Sequence, residues 1–276
     1  MQRREFIAAT AAGTASLGAT ELPFAHLIPR DMTDDARDAT ATATATANTR
    51  RILIAGGGFN RAFIRYMAAL TGARRPRICY LPTASADDPQ GIINFYQQCA
   101  ALDVEPHVQR SFIESLSQTQ GWDEVLLSMH GIVVSGGNTL NQQAIWKAQG
   151  IDVVLKAAWD KGVVLGGASA GSLCWFEEGT TDSRPRALSI VKCLGFLPGS
   201  HSPHYDAEPG RRPLYQKLIG EGTMKPGYAC DNNAGIYFEG TSVARVIATT
   251  PTAKVYHVSV VNGTVTERVM EPEQIS

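Results

Sequence analysis

The sequence contains no apolar run long enough to cross a membrane: its one N-terminal candidate, Ala8 to Ala19, is short and rich in Thr, Ala and Gly. Charge of one sign is also scarce. The formal net charge is -1 over 276 residues, and the only dense basic clusters are Arg74-Arg75-Pro76-Arg77 and Arg211-Arg212, which leaves no electrostatic footprint for nucleic acid. The five cysteines (Cys79, Cys99, Cys174, Cys193, Cys230) are odd in number and form no Cys-x-x-Cys pair. A disulfide framework and a zinc cluster are therefore not expected, and most of these thiols read as small buried hydrophobes. What remains is an ordinary globular composition, 44% apolar and 18% charged.

The first fifty residues differ from the rest. Arg3-Arg4 followed by Phe6-Ile7 and the weakly apolar segment is the pattern of a twin-arginine (Tat) export signal, expected within residues 1–30. The expected location is periplasmic or extracellular, with the cytoplasm as the alternative, and without stable membrane insertion. Residues 31–50, an acidic stretch followed by alternating Ala and Thr, cannot bury enough apolar surface to offset their ordering entropy and read as a linker. Residues 51–276 form the expected folded domain, within the range of one large domain.

From Arg51 onward, short apolar runs alternate with helical spacing. Arg51 to Ala55, Arg77 to Leu81, Glu105 to Val108, Ile132 to Ser135 and Val163 to Leu165 read as strands. Arg61 to Leu70, Pro89 to Leu102, Thr139 to Ala148 and Val153 to Trp159 read as helices, with another from Ala170. This alternation predicts a doubly wound α/β fold with a mostly parallel sheet covered on both faces. After Glu177 the pattern loosens into turn-rich chain. β-like runs from Ala234 to Val269, with Asn262-Gly263 as a hairpin turn, predict antiparallel strands at the C-terminal end.

Two Gly-rich turns fall at predicted strand ends. Gly167-Ala168-Ser169-Ala170-Gly171 follows the strand at Val163 and precedes a helix, the context in which small flanking residues let a strained turn push a serine hydroxyl out of the sheet. Ser135-Gly136-Gly137-Asn138-Thr139 ends another strand and opens a helix, so free backbone N–H groups gather near Ser169, at the carboxyl ends of the strands where α/β sheets bind ligands. A serine needs a base. Of six histidines, His201 and His204 lie in the most polar loop after the turn, Gly199 to Asp206. The order Ser before His, with an acid or amide later, differs from the Ser, Asp, His order of α/β-hydrolases.

These pieces resemble the S51 peptidases, the dipeptidase E and cyanophycinase group. The resemblance runs from about Arg51 to the end and is carried by Gly136 to Thr139, Gly167 to Gly171, Thr180-Thr181-Asp182 and Ser202-Pro203-His204-Tyr205. It implies a class I glutamine amidotransferase-like (flavodoxin-like) fold with serine in place of cysteine. Ser169 would be the nucleophile and His204 the base, with Gly137 and Ala170 giving oxyanion N–H groups and no cofactor or metal. The aspartyl dipeptidases carry a glutamate where this chain has Ala229-Cys230-Asp231-Asn232-Asn233. Asn232 stands opposite it and Asp231 beside it, so the third member is Asn232, Asp231 or Asp182. The substrate implied is a small peptide, a dipeptide with an N-terminal aspartate, met by Asn138 and by Arg211 or Arg212. A cyanophycinase-like hydrolase of β-aspartyl linkages and a catalytically weak binding protein are the alternatives.

Two further readings compete. His201, His204 and Asp206 could surround one metal ion, although they form no helix-borne His-Glu-x-x-His motif. Gly56-Gly57-Gly58 follows the first strand as a dinucleotide loop would, but it lacks the third glycine and the later acidic residue.

Overall fold

The structure is a computed structural model that describes residues 49–112 and 118–276. The expected export signal and all but the last two residues of the linker lie outside the described residues. The elements follow the expected rhythm in the first two thirds: β1 (Arg51–Ala55), α1 (Arg61–Thr71), β2 (Arg77–Leu81), α2 (Pro89–Cys99), β3 (Glu105–Val108), α3 (Trp122–Leu126), β4 (Gly131–Val134), α4 (Thr139–Gln149), α5 (Ile151–Asp160) and β5 (Val164–Ala168). Then come α6 (Ala170–Leu173), β6 (Phe176–Thr181), β7 (Ser189–Lys192), β8 (Leu197–Ser202), α7 (Arg211–Gly220), β9 (Gly227–Cys230), β10 (Ala234–Glu239), β11 (Ser242–Ala248), β12 (Val255–Val261), β13 (Thr264–Met270) and β14 (Glu273–Gln274).

An eight-stranded sheet runs β14-β11-β10-β1-β5-β4-β2-β3, and its centre from β1 to β3 is parallel. β10 joins β1 antiparallel, and β11 joins β10 antiparallel. The alternation of side chains along a strand sends Ile52 and Ile54 to one face and Leu53 and Ala55 to the other. The first pair packs in a cluster with Trp146, Leu155 and Trp159 of α4 and α5, the second in a cluster with Phe63, Met67 and Phe95 of α1 and α2. Ile52, Leu53 and Ile54 are fully buried, each worth roughly 1.5–3 kcal/mol relative to exposure. The helices start where side chains satisfy their free N–H groups: Asn60 Oδ1 accepts from Ala62 and Phe63, Asp88 from Gly91 and Asn138 from Asn141.

The segment after Phe176, which reads as turn-rich, builds a second sheet of six strands ordered β13-β12-β9-β8-β6-β7. The terminal hairpin β12–β13 belongs to this sheet, whereas β10 and β11 extend the first. The chain therefore leaves the first sheet after β5 and re-enters it only at β10. A third cluster, with Tyr205, Tyr215, Ile219 and Val258, seats α7 on the second sheet.

Truncating the central strand tests this packing: Ile54→Ala is expected to lower the unfolding free energy by roughly 2–5 kcal/mol, read from urea midpoints at unchanged m-value.

Candidate active site

Ser169 sits between β5 and α6 with φ 59° and ψ -119°. A non-glycine residue at positive φ is held there only by its surroundings, and here β4 supplies them. A Cβ on Gly171 would fall 2.7 Å from the Val134 carbonyl carbon, and one on Gly167 2.8 Å from the Gly171 oxygen, so only glycines let the end of β4 approach the turn this closely. Behind the serine, the N–H groups of Ser172 and Leu173 both bond its carbonyl oxygen. The turn at the end of β4 comes alongside: the Cβ position of Gly136 lies 3.2 Å from Ser169 Cβ and 3.6 Å from its Oγ. Next to it Asn138 N–H bonds Ala84 O at 2.8 Å, which fixes Gly137 at φ 130°.

The two histidines of the polar loop have different environments. His201, on β8, is fully buried, its ring stacked on Phe176 at 4.9 Å. Its Nδ1 faces the Tyr228 carbonyl at 3.0 Å and so donates to it, and Nε2 meets the Ser172 hydroxyl at 2.9 Å. Burial drives its pKa down to about 3, with the Arg211 charge acting in the same direction. His201 is a neutral core residue. His204, just beyond β8, has φ 52° and places Nδ1 2.7 Å from Asn232 Oδ1. An amide oxygen only accepts, so Nδ1 carries the hydrogen and the Nε2 lone pair is left to take a proton.

The His204–Asn232 pair rests on the end of β1. Gly57 forms a bridge with Asn232, and Asn233 N–H bonds Gly57 O at 3.0 Å. A Cβ on Gly57 would overlap Asn232 Oδ1 and come within 2.8 Å of His204 Cε1 and Nδ1. From the other side, Asp206 Oδ1 accepts the Asn232 N–H at 2.8 Å. Sequence reasoning singled out Asp206 only as a candidate metal ligand and Gly57 only within a dinucleotide-like loop, and neither as a support for the His204–Asn232 pair. The Gly56-Gly57-Gly58 run at a strand end was the available clue, and it suggested a nucleotide loop instead of a seat for a histidine.

The remaining candidates are drawn into structural roles. Asp231 accepts the Lys254 N–H at 2.9 Å. Burial, with Asp206 nearby, raises its carboxyl to about 6. Asp182 pairs with Arg211. Arg211 is 2% exposed and is held by Glu208, Asp182 and the Thr180 carbonyl. Arg212 pairs with Glu267 and lies over the rings of Tyr205 and Tyr256. Asn138 caps α4 and donates to the Ser183 carbonyl. The proposed metal ligands do not converge: His201 is bonded to Ser172 and Tyr228, Asp206 to the Asn232 backbone, and no group of three ligating side chains gathers among the described residues.

Comparison with known proteins follows this geometry. A family model described as peptidase family S51 matches residues 52–246. The chain is 39% identical over 221 residues to a protein of Bacillus subtilis (strain 168) named uncharacterized peptidase YgaJ, covering 78% of this chain and 94% of that protein. The chain belongs to peptidase family S51. Among solved structures, a peptidase from an acI-B1 Actinobacterium superposes with a TM-score of 0.64 at 15% identity, covering 83% of this chain and 98% of the other. A protein from Listeria monocytogenes EGD-e, provisionally named a peptidase E, gives 0.56 at 18% identity, covering 73% and 100%. At these identities the structures attest to a shared α/β fold. Within this S51 peptidase, no helix among the described residues is long and apolar enough to cross a membrane.

The two shifted groups have opposite linkage to pH. His201 binds its proton more readily unfolded, so its contribution to stability is complete above 6.5 and is lost as pH falls toward 3. Asp231, raised from 3.8 to about 6, contributes fully below 3.8 and loses its contribution as pH rises through 6. His201→Gln is expected to flatten the fall of the urea midpoint between pH 6.5 and 4 relative to wild type, even though its midpoint at neutral pH is lower.

Proposed function

We propose that this S51 peptidase is of the serine type and cleaves short peptides through an acyl-enzyme. The observation that carries the reading is the 2.7 Å contact from His204 Nδ1 to Asn232 Oδ1, which fixes the tautomer whose Nε2 can act as a base, in a chain whose Ser169 stands on a strained turn. Ser169 Oγ would attack the scissile carbonyl while His204 Nε2 takes its proton. Collapse of the tetrahedral adduct breaks the C–N bond as His204 hands that proton to the leaving amine. Water, deprotonated by the same nitrogen, then releases the acid and restores the serine.

The N–H of Ala170, first in α6 and so without a partner inside its helix, and that of Gly137 across the Gly136 contact are the proposed oxyanion donors. Asn232 orients His204 but adds no charge to stabilise the imidazolium. An N-terminal aspartate, the substrate the dipeptidase E resemblance implies, would call on Arg211 or Arg212, and both guanidinium groups already have acidic partners inside the protein. Short peptides in general are the better-supported class. The cleft beside Ser169, about 260 Å³, is below the usual range for drug-sized ligands.

Fluorophosphonate labelling tests the nucleophile directly: wild type is expected to label at Ser169, and Ser169→Ala to lose both label and peptide hydrolysis. His204→Ala is expected to lower kcat by roughly 10³-fold or more. A correctly folded wild type that fails to label would remove the proposal. Asn232→Asp tests the orienting role. Its added negative charge favours the imidazolium, so the acid limb of kcat/KM against pH is expected to move to higher pH, and an unmoved limb would place the functional partner of His204 elsewhere.

A further inference from the structure

The cleft beside Ser169 lies on the α1–α2 side of the first sheet and is walled by Phe59, Tyr80, Asn94, Phe95, Gln98 and Ser135. None of the residues lining it is charged. One wall is a stacked pair, the Tyr80 and Phe95 rings 5.1 Å apart with planes 15° from parallel. The polar groups of the walls are the Tyr80 and Ser135 hydroxyls and the Asn94 and Gln98 amides, all uncharged.

The position of the cleft says which part of a substrate would enter it. Ser169 lines it, whereas His204 and Asn232 do not. In acyl transfer the histidine protonates the departing amine, so the leaving side of the substrate lies toward His204 and the acyl side away from it.

We infer that this cleft receives the side chain of the residue whose carbonyl Ser169 attacks, and that it selects an uncharged side chain with a flat or apolar body, of the tyrosine or phenylalanine kind. The inference rests on Ser169 being the nucleophile. The aromatic walls suit the body of such a group. A carboxylate would lose its hydration there without a cation to replace it. Arg61, which reaches α2, is bonded to the Gln97 and Gln98 carbonyl oxygens, and Arg211 and Arg212 are held by acidic partners of their own.

The test uses the full chain and diphenyl esters of α-aminoalkyl phosphonates bearing the side chains of tyrosine, phenylalanine and aspartate. Attack forms the Ser169 Oγ–P bond and expels phenol, which carries away the serine proton, so the inactivation rate reports acyl-side fit without a leaving peptide. The tyrosine and phenylalanine esters are expected to inactivate at least tenfold faster than the aspartate ester. Gln98→Lys is expected to shift that ratio toward aspartate by at least tenfold, and Asn94→Lys, at an exposed position that tolerates substitution, to shift it the same way. Equal rates, a faster aspartate ester, or ratios unmoved in both variants would overturn the subsite while fluorophosphonate labelling of Ser169 leaves the nucleophile standing. Loss of that labelling would overturn both.

Discussion

The site depends on a close approach between two pieces of backbone that belong to different parts of the chain: the glycines that end β1 and the turn between β9 and β10. Gly56 N–H bonds Ala234 O, Gly57 bridges Asn232, and Asn233 N–H returns to Gly57 O. A side chain at residue 56 or 57 would drive into this turn, at 56 against the backbone of Cys230 and Asp231. β9 lies in the second sheet and β10 in the first, so this contact fixes the crossing point between the sheets. The proposed nucleophile comes from the first sheet and the proposed base from the second, at the end of β8. One core cluster is shared by both sheets, with Ile52, Ile54 and Phe238 of the first packed with Phe176, Leu197 and Val255 of the second, so it holds the two halves of the proposed site together.

Two carboxylates already adjoin Asn232 at that crossing. Asp206 already accepts the Asn232 N–H, and Asp231, adjacent in sequence, is buried, with its carboxyl raised by that burial to about 6. A third carboxylate between them would add repulsion in a region where burial already disfavours charge. Asn232 keeps the acceptor that selects the histidine tautomer and omits the charge.

The first sheet was largely legible from sequence, because buried parallel strands are continuous apolar runs and their helices carry a 3.6-residue period, as in Arg51 to Ala55 and Arg61 to Thr71. The second sheet was not. β6 reads Phe-Glu-Glu-Gly-Thr-Thr and β8 Leu-Pro-Gly-Ser-His-Ser, yet both are mostly buried. Their polar side chains are satisfied pairwise inside the protein, Thr180 with Ser202, Ser200 with Tyr215, His201 with Ser172, and pairing of that kind is invisible to a pattern that scores each residue alone. For the site, Ser169 stood out through its glycines and strand context, and His204 through the family resemblance. Spacing could not separate His204 from His201, because their difference is one of burial. Asp206 and Gly57 act through backbone contacts between segments distant in sequence, which no local motif encodes.

The neutral cleft and the engaged arginines have one physical origin. Both Arg211 and Arg212 stand at the start of α7, which packs on the second sheet, whereas the cleft opens on the α1–α2 side of the first. Arg211 holds the Glu208 and Asp182 carboxylates, and Arg212 that of Glu267, which also accepts from Tyr205 and Gln216. Releasing Arg211 to a substrate carboxylate would leave a guanidinium with 2% exposure to be re-paired, and breaking a buried ion pair costs more than forming a solvated one returns. Those two guanidinium groups are held by acidic partners, and the residues that line the cleft beside Ser169 are uncharged.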